Sequence, residues 1–112
     1  MAKVIITALL EGEINKKFKR RSVEVFSLLR TLEDNPYKGK EVGVVGRVLI
    51  KEIKYGKFRF YFITDGYKIK VLKARELKEL IIKFVRMSEK KDQQETIEEI
   101  KNVLRSLGEE GF

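Results

Sequence analysis

Three segments in the middle of the chain constrain its fold more than any other feature. Val42–Tyr55, Lys57–Thr64 and Tyr67–Lys73 alternate apolar and polar residues and are separated by Tyr55-Gly56 and Asp65-Gly66. Alternation of this kind marks a strand with one buried face, and Asp-Gly between two such runs favours a two-residue hairpin because both turn positions need positive φ. The pattern predicts three adjacent antiparallel strands. A turn at Asp65-Gly66 sets Phe62 opposite Ile69 and Phe60 opposite Val71, and a turn at Tyr55-Gly56 sets Ile53 opposite Phe58 and Glu52 opposite Arg59. Moving the second turn to Gly56-Lys57 leaves the parity unchanged, so either register puts Phe58, Phe60 and Phe62 on a core face with Leu49 and Ile53. The opposite face then gathers Lys54, Lys57, Arg59, Tyr61, Lys68 and Lys70, while Lys51 falls on the apolar side.

The flanks read differently. Lys3–Leu9 is rich in β-branched residues and predicts a short first strand. From Glu13 to Asp34 apolar residues recur at helical spacing, with a break near Ser22 and a stop at Asn35-Pro36. Within that stretch Lys16, Lys17, Lys19, Arg20 and Arg21 read as a solvated helix face. Gly43 and Gly46 lie in a strand pattern with no helix after them, which predicts a bulge or bend and not a phosphate-binding loop. Glu76–Met87 and Gln94–Leu107 carry helical apolar stripes, joined by the polar Ser88–Gln93 as one long helix or a hinged pair. The expected architecture is one α+β domain over residues 1–112, with a core of residues 1–87 and a C-terminal helical extension of residues 88–112. In it a twisted antiparallel sheet of about four strands carries the N-terminal helical region on one face. The stripe of Ile97, Ile100, Val103, Leu104 and Leu107 is expected to pack on Leu80, Ile81 and Phe84, or on a second copy as a homodimer.

Composition narrows the chemistry. The chain has no histidine and no cysteine, which removes imidazole shuttles, thiolate nucleophiles, disulfides and Cys/His zinc sites. No cofactor and no metal are expected, since Glu41, Glu52 and Asp65 are the only acids of the basic middle and are dispersed. No apolar run reaches the roughly 18 residues of a membrane span, and the N-terminus lacks a signal-peptide order, so the reading is cytoplasmic with no membrane partner. The abundance of Lys (17) and Glu (14) resembles the bias of proteins from hot-living organisms. Of the net +8, residues 35–75 carry 11 basic and 3 acidic side chains, whereas residues 1–34 sum to +2 and residues 76–112 to −2. A localised positive field points first to nucleic acid and second to an acidic protein. Lysine and arginine beside a tyrosine can hold a phosphate backbone, and can stabilise the charge that develops when a phosphodiester is cleaved without a metal.

One family shares this outline. Leu32-Glu33-Asp34-Asn35-Pro36, then Gly39-Lys40, a basic strand, Gly56-Lys57-Phe58-Arg59-Phe60-Tyr61, a further strand and Lys73-Ala74-Arg75 together resemble the RelE/ParE superfamily of toxins. The resemblance covers about residues 1–87 and implies helices on one face of an antiparallel sheet. For the RelE branch it implies ribosome-dependent mRNA cleavage without metal or histidine and a small acidic antitoxin partner, and for the ParE branch poisoning of DNA gyrase. It nominates Arg59, Lys54 and Arg75 as catalytic; the basic middle of the chain itself nominates Lys51, Lys57, Tyr61, Lys68, Lys70 and Lys73 as nucleic-acid-binding residues. Glu52 stands where the family has a basic residue, and Ile81 where the RelE branch has a tyrosine. The alternative of a different class is a non-catalytic module of this fold that binds nucleic acid or protein.

Overall fold

The structure, a computed structural model, describes residues 1–112 except for the side chain of Ala74. Its elements are β1 (Lys3–Ile6), α1 (Ala8–Phe18), α2 (Ser22–Arg30), β2 (Lys40–Val45), β3 (Val48–Tyr55), β4 (Phe58–Asp65), α3 (Gly66–Val71), β5 (Ile81–Glu89) and α4 (Gln93–Leu107). The fold is α+β, and the sheet has five strands in the order β1-β5-β4-β3-β2. β1 runs parallel to β5, and every other pairing is antiparallel.

Local chemistry explains where the elements begin and end. The Thr7 hydroxyl accepts from the Leu10 N–H at 3.3 Å and caps α1. Gly46 and Gly56, with φ of +58° and +59°, open the two-residue turns that join β2 to β3 and β3 to β4. The predicted bend near Gly43 is a bulge between Glu41 and Gly43, and what reads as one strand from Val42 is two, β2 and β3. The second turn sits at Gly56-Lys57, so Ile53 faces Phe60, Glu52 faces Tyr61 and Lys54 faces Arg59. Parity is kept, and Phe60 and Phe62 are fully buried beneath α1 and α2 with Leu10, Ile14, Val25 and Leu29.

Two expected elements change type. Asp65-Gly66 makes no hairpin: the Asp65 carboxylate accepts from the Tyr67 and Lys68 N–H groups at 2.9 and 3.0 Å and caps the short helix α3. Asp serves equally as turn residue and N-cap, and here the cap wins. Tyr67–Lys73 is therefore not a strand, and the pairings of Phe62 with Ile69 and Phe60 with Val71 do not occur. The place beside β4 belongs to β5, within the stretch expected to be helical over Glu76–Met87. That stretch is buried on both sides, Ile82 and Phe84 toward α1 and Val85 toward α4, and a doubly buried strand has no period to distinguish it from a helix. A bulge at Val85 puts it and Arg86 on the same face.

Helices cover both faces of the sheet. α4 lays Ile97, Ile100 and Leu104 on Ile50, Tyr61, Ile63 and Val85, so these three members of its stripe are buried within the chain and not against Leu80, Ile81 and Phe84, while Val103 is half-buried and Leu107 is 67% exposed. Among the described residues no helix is long and apolar enough to cross a membrane. Since Ile100 is fully buried, Ile100→Ala should lower unfolding free energy by about 2–5 kcal/mol, whereas Val23→Ala, at a 73% exposed site, should stay within about 0.5 kcal/mol. Urea denaturation of both variants checks this.

Candidate nucleic-acid interface

Antiparallel pairing brings three distant parts of the chain to one end of the sheet. The β3–β4 turn lies there, and so do the end of β5 and the turn Lys19–Arg21 between α1 and α2. Phe18 anchors the group, meeting Tyr55 edge-on at 5.6 Å and Phe58 at 5.0 Å. Arg21 donates to the Tyr55 hydroxyl at 2.6 Å. Lys17 and Lys57 stand over the Phe58 ring at 5.5 and 5.6 Å. Lys57 also reaches Glu89 at 3.2 Å, as does Lys91 at 3.9 Å. Lys16, Lys17, Lys19, Arg20, Arg21, Lys54, Lys57, Lys90 and Lys91 are all exposed in this region. Lys57 and Lys91 share the Glu89 carboxylate and so lie within about a Debye length, roughly 8 Å, of each other, close enough for their fields to add.

The residues nominated from sequence divide into three groups. Lys54 and Lys57 belong to the basic end. Arg59 and Tyr61 lie under the start of α4, at 6% and 0% exposure, where sequence reading expects an open face. The covering helix is the reason. Arg59 Nη1 donates to the carbonyls of Gly56 and Phe58 at 3.1 and 3.0 Å, holding the β3–β4 turn. Tyr61 shares a 2.9 Å hydrogen bond with Ser88, and burial raises its phenol pKa, opposed by that bond and reinforced by Glu52. Glu52 accepts from Gln93 of α4 at 2.7 Å, and among the described residues it forms no ion pair with Arg59. Lys51 is buried on the other face, donating to the Tyr37 carbonyl at 2.9 Å. Lys68, Lys70, Lys73 and Arg75 are exposed at the far end of the sheet, one length of β4 away, roughly 24 Å for eight residues.

The basic end draws on residues that sequence reading did not join to it. Lys16–Arg21 reads as a solvated helix face, yet α1 ends at Phe18, so Lys16 and Lys17 lie on its last turn, Lys17 over Phe58, and Lys19–Arg21 form the turn that follows. Lys90 and Lys91 follow a strand and not a helix, which places them beside Lys57, whose carbonyl accepts from the Lys90 N–H at 2.8 Å. Lys19 is the one non-glycine residue among those described with positive φ, at 51°. Strain of this kind concentrates at functional sites. A hollow of about 560 Å³ opens between Phe58, Met87, Lys16, Lys17, Glu89 and Asp92. The hydrogen bond and charge of Lys57, with Lys91 and Lys17 behind it, hold the Glu89 carboxyl below its ordinary pKa. Among the described residues no three carboxylates group as metal ligands would. No family model, curated protein or solved structure matches the chain.

Two measurements follow from this geometry. Lys19→Gly relieves backbone strain and should raise stability by about 1 kcal/mol, while Lys19→Ala should not, although both remove the same charge. Equal stability of the two variants in urea would show that Lys19 is unstrained. For Lys51, burial lowers the ammonium pKa from 10.5 and Glu41 partly opposes it. A base with a lowered folded pKa binds fewer protons folded than unfolded between that value and 10.5, so stability rises with pH across the window. Relative to Lys51→Met, the parent chain should therefore gain stability as pH rises toward 10.5 and show a constant difference nearer neutrality.

Proposed function

We propose that this protein binds RNA through its phosphates at the basic end of the sheet. The observation that carries the reading is the convergence of nine exposed cations from three separate chain segments at the end of the sheet that holds the partly buried Phe58. Surface lysines that serve solubility alone are interspersed with acids, and the far end is of that kind, with Arg47 paired to Asp65 at 3.0 Å and Glu76 and Glu79 beside Arg75. At the basic end four acids are in reach, Glu13, Glu89 and Asp92 at the hollow and Glu24, which pairs with Arg21 at 3.5 Å, and the nine exposed cations outnumber them.

A second reading is a RelE-like toxin that cleaves mRNA on the ribosome and is held by a small acidic antitoxin. Lys54, Lys57 and Arg59 stand together at the same end, which favours it. The guanidinium of Arg59 already holds the turn, so cleavage there requires the start of α4 to move aside. In this reading Arg59→Ala abolishes cleavage of ribosome-bound mRNA; in the binding reading no cleavage occurs in any variant.

The measurement that tests RNA binding is affinity against salt. Contact with about five phosphates gives a log–log slope of roughly −3 to −4 on single strands. Lys17→Ala with Lys91→Ala should weaken binding and flatten that slope by roughly 1 to 2, whereas Lys70→Ala with Arg75→Ala at the far end should leave it unchanged. A salt-independent affinity, or equal losses from the two pairs, would overturn the proposal.

A further inference from the structure

We infer that the hollow beside Phe58 receives one unpaired base, which makes the protein a reader of single strands and not of duplex. This rests on the RNA-binding reading and adds what that reading leaves open, the form of the nucleic acid. The hollow's 560 Å³ is within the range of small-molecule sites, and its walls differ in character. Phe58 and Met87 supply apolar surface, Lys16 and Lys17 positive charge, and Glu13, Glu89 and Asp92 negative charge. A duplex offers only phosphates and groove edges to such a concavity, whereas a single strand can turn a base into it.

The Phe58 ring, partly buried against the core, meets Phe18 edge-on and carries the flexible ends of Lys17 and Lys57 over it. A lysine over a ring is easily exchanged for a base, and the displaced ammonium stays close enough to take the adjoining phosphate. The carboxylates then acquire a purpose. Glu89 repels phosphate, but it accepts hydrogen bonds from the exocyclic amines of adenine, cytosine or guanine, which uracil lacks. Its contacts with Lys57 and Lys91 hold it at the wall of the hollow. The two signs thus sort the ligand, base inward and backbone outward.

The experiment is titration of the full chain into a 12-nucleotide RNA carrying 2-aminopurine, as a single strand and as a duplex of the same length. The protein has no tryptophan, so 2-aminopurine emission is read without that interference. Stacking on Phe58 should quench the single strand, which should bind at least tenfold tighter than the duplex. Phe58→Leu, which keeps an apolar side chain under Phe18, should remove the quench and cost about 5- to 100-fold in single-strand affinity alone. Glu89→Gln should reduce the preference for oligo(A) over oligo(U). Absence of any quench at saturation with the unaltered protein, or equal effects of Phe58→Leu on both forms, overturns the inference while leaving RNA binding standing. Failure to bind either form at low salt overturns the RNA-binding reading itself.

Discussion

β4 is the central strand of the sheet, and both hydrophobic cores rest on it. Along Phe60–Ile63 successive side chains alternate between two cores, Phe60 and Phe62 under the N-terminal helices and Tyr61 and Ile63 under α4, all at 3% exposure or less. An antiparallel sheet with one wet face would leave Tyr61 and Arg59 in water. Covering both faces buries more apolar surface in a chain of 112 residues, and it also converts a row of polar side chains into structural parts. Arg59 bonds to two carbonyls of the turn, Glu52 to Gln93, and Tyr61 to Ser88. With those groups satisfied, no buried polar side-chain atom among the described residues lacks a partner.

That arrangement decides where recognition can occur. A second helical layer removes the flat sheet surface as a binding platform and leaves the sheet's ends. At one end the rigid Phe18–Tyr55–Phe58 cluster fixes the positions from which lysines extend, so flexible cations are mounted on a stiff base. The Arg59 bonds to Gly56 and Phe58 stiffen the same turn from below. A residue nominated for catalysis thus acts on the interface by holding the turn that carries Lys57 and Phe58.

How much of this was legible in the sequence depends on how local the deciding interaction is. The β3–β4 hairpin, the core phenylalanines and the Asn35-Pro36 stop rest on neighbours in the chain, and they are as expected up to a one-step shift of the turn. Asp65 could serve two local purposes, and the bond of Gly66 N–H to the Arg47 carbonyl at 2.7 Å helps to settle it for the cap from 19 residues away. β5 is burdened by the opposite problem: a strand apolar on both faces hides its period, and only its place between β1 and β4 identifies it. The coverage of the sheet by α4 had no local signature, because an amphipathic stripe states that it will be covered and not by what.

The same non-locality governs the charge. Divided along the chain, the excess lies wholly in residues 35–75, yet folding sends that segment's cations to two ends of the sheet, and Lys51 and Arg59 into the interior. The basic end is completed by Lys16–Arg21 and Lys90-Lys91, from segments that are close to balanced in sequence. The two ends are separated by about three Debye lengths at physiological salt, so a polyanion meets two independent fields and not their sum. At the far end Asp65, Glu76 and Glu79 interrupt the lysines; at the other, five of the cations fall within six residues, Lys16 and Lys17 at the end of α1 and Lys19–Arg21 in the turn that the strained Lys19 opens. On the proposed RNA-binding reading, the balance of cations and acids at each end selects where a phosphate backbone is held, and a ring within reach selects whether a base is held as well.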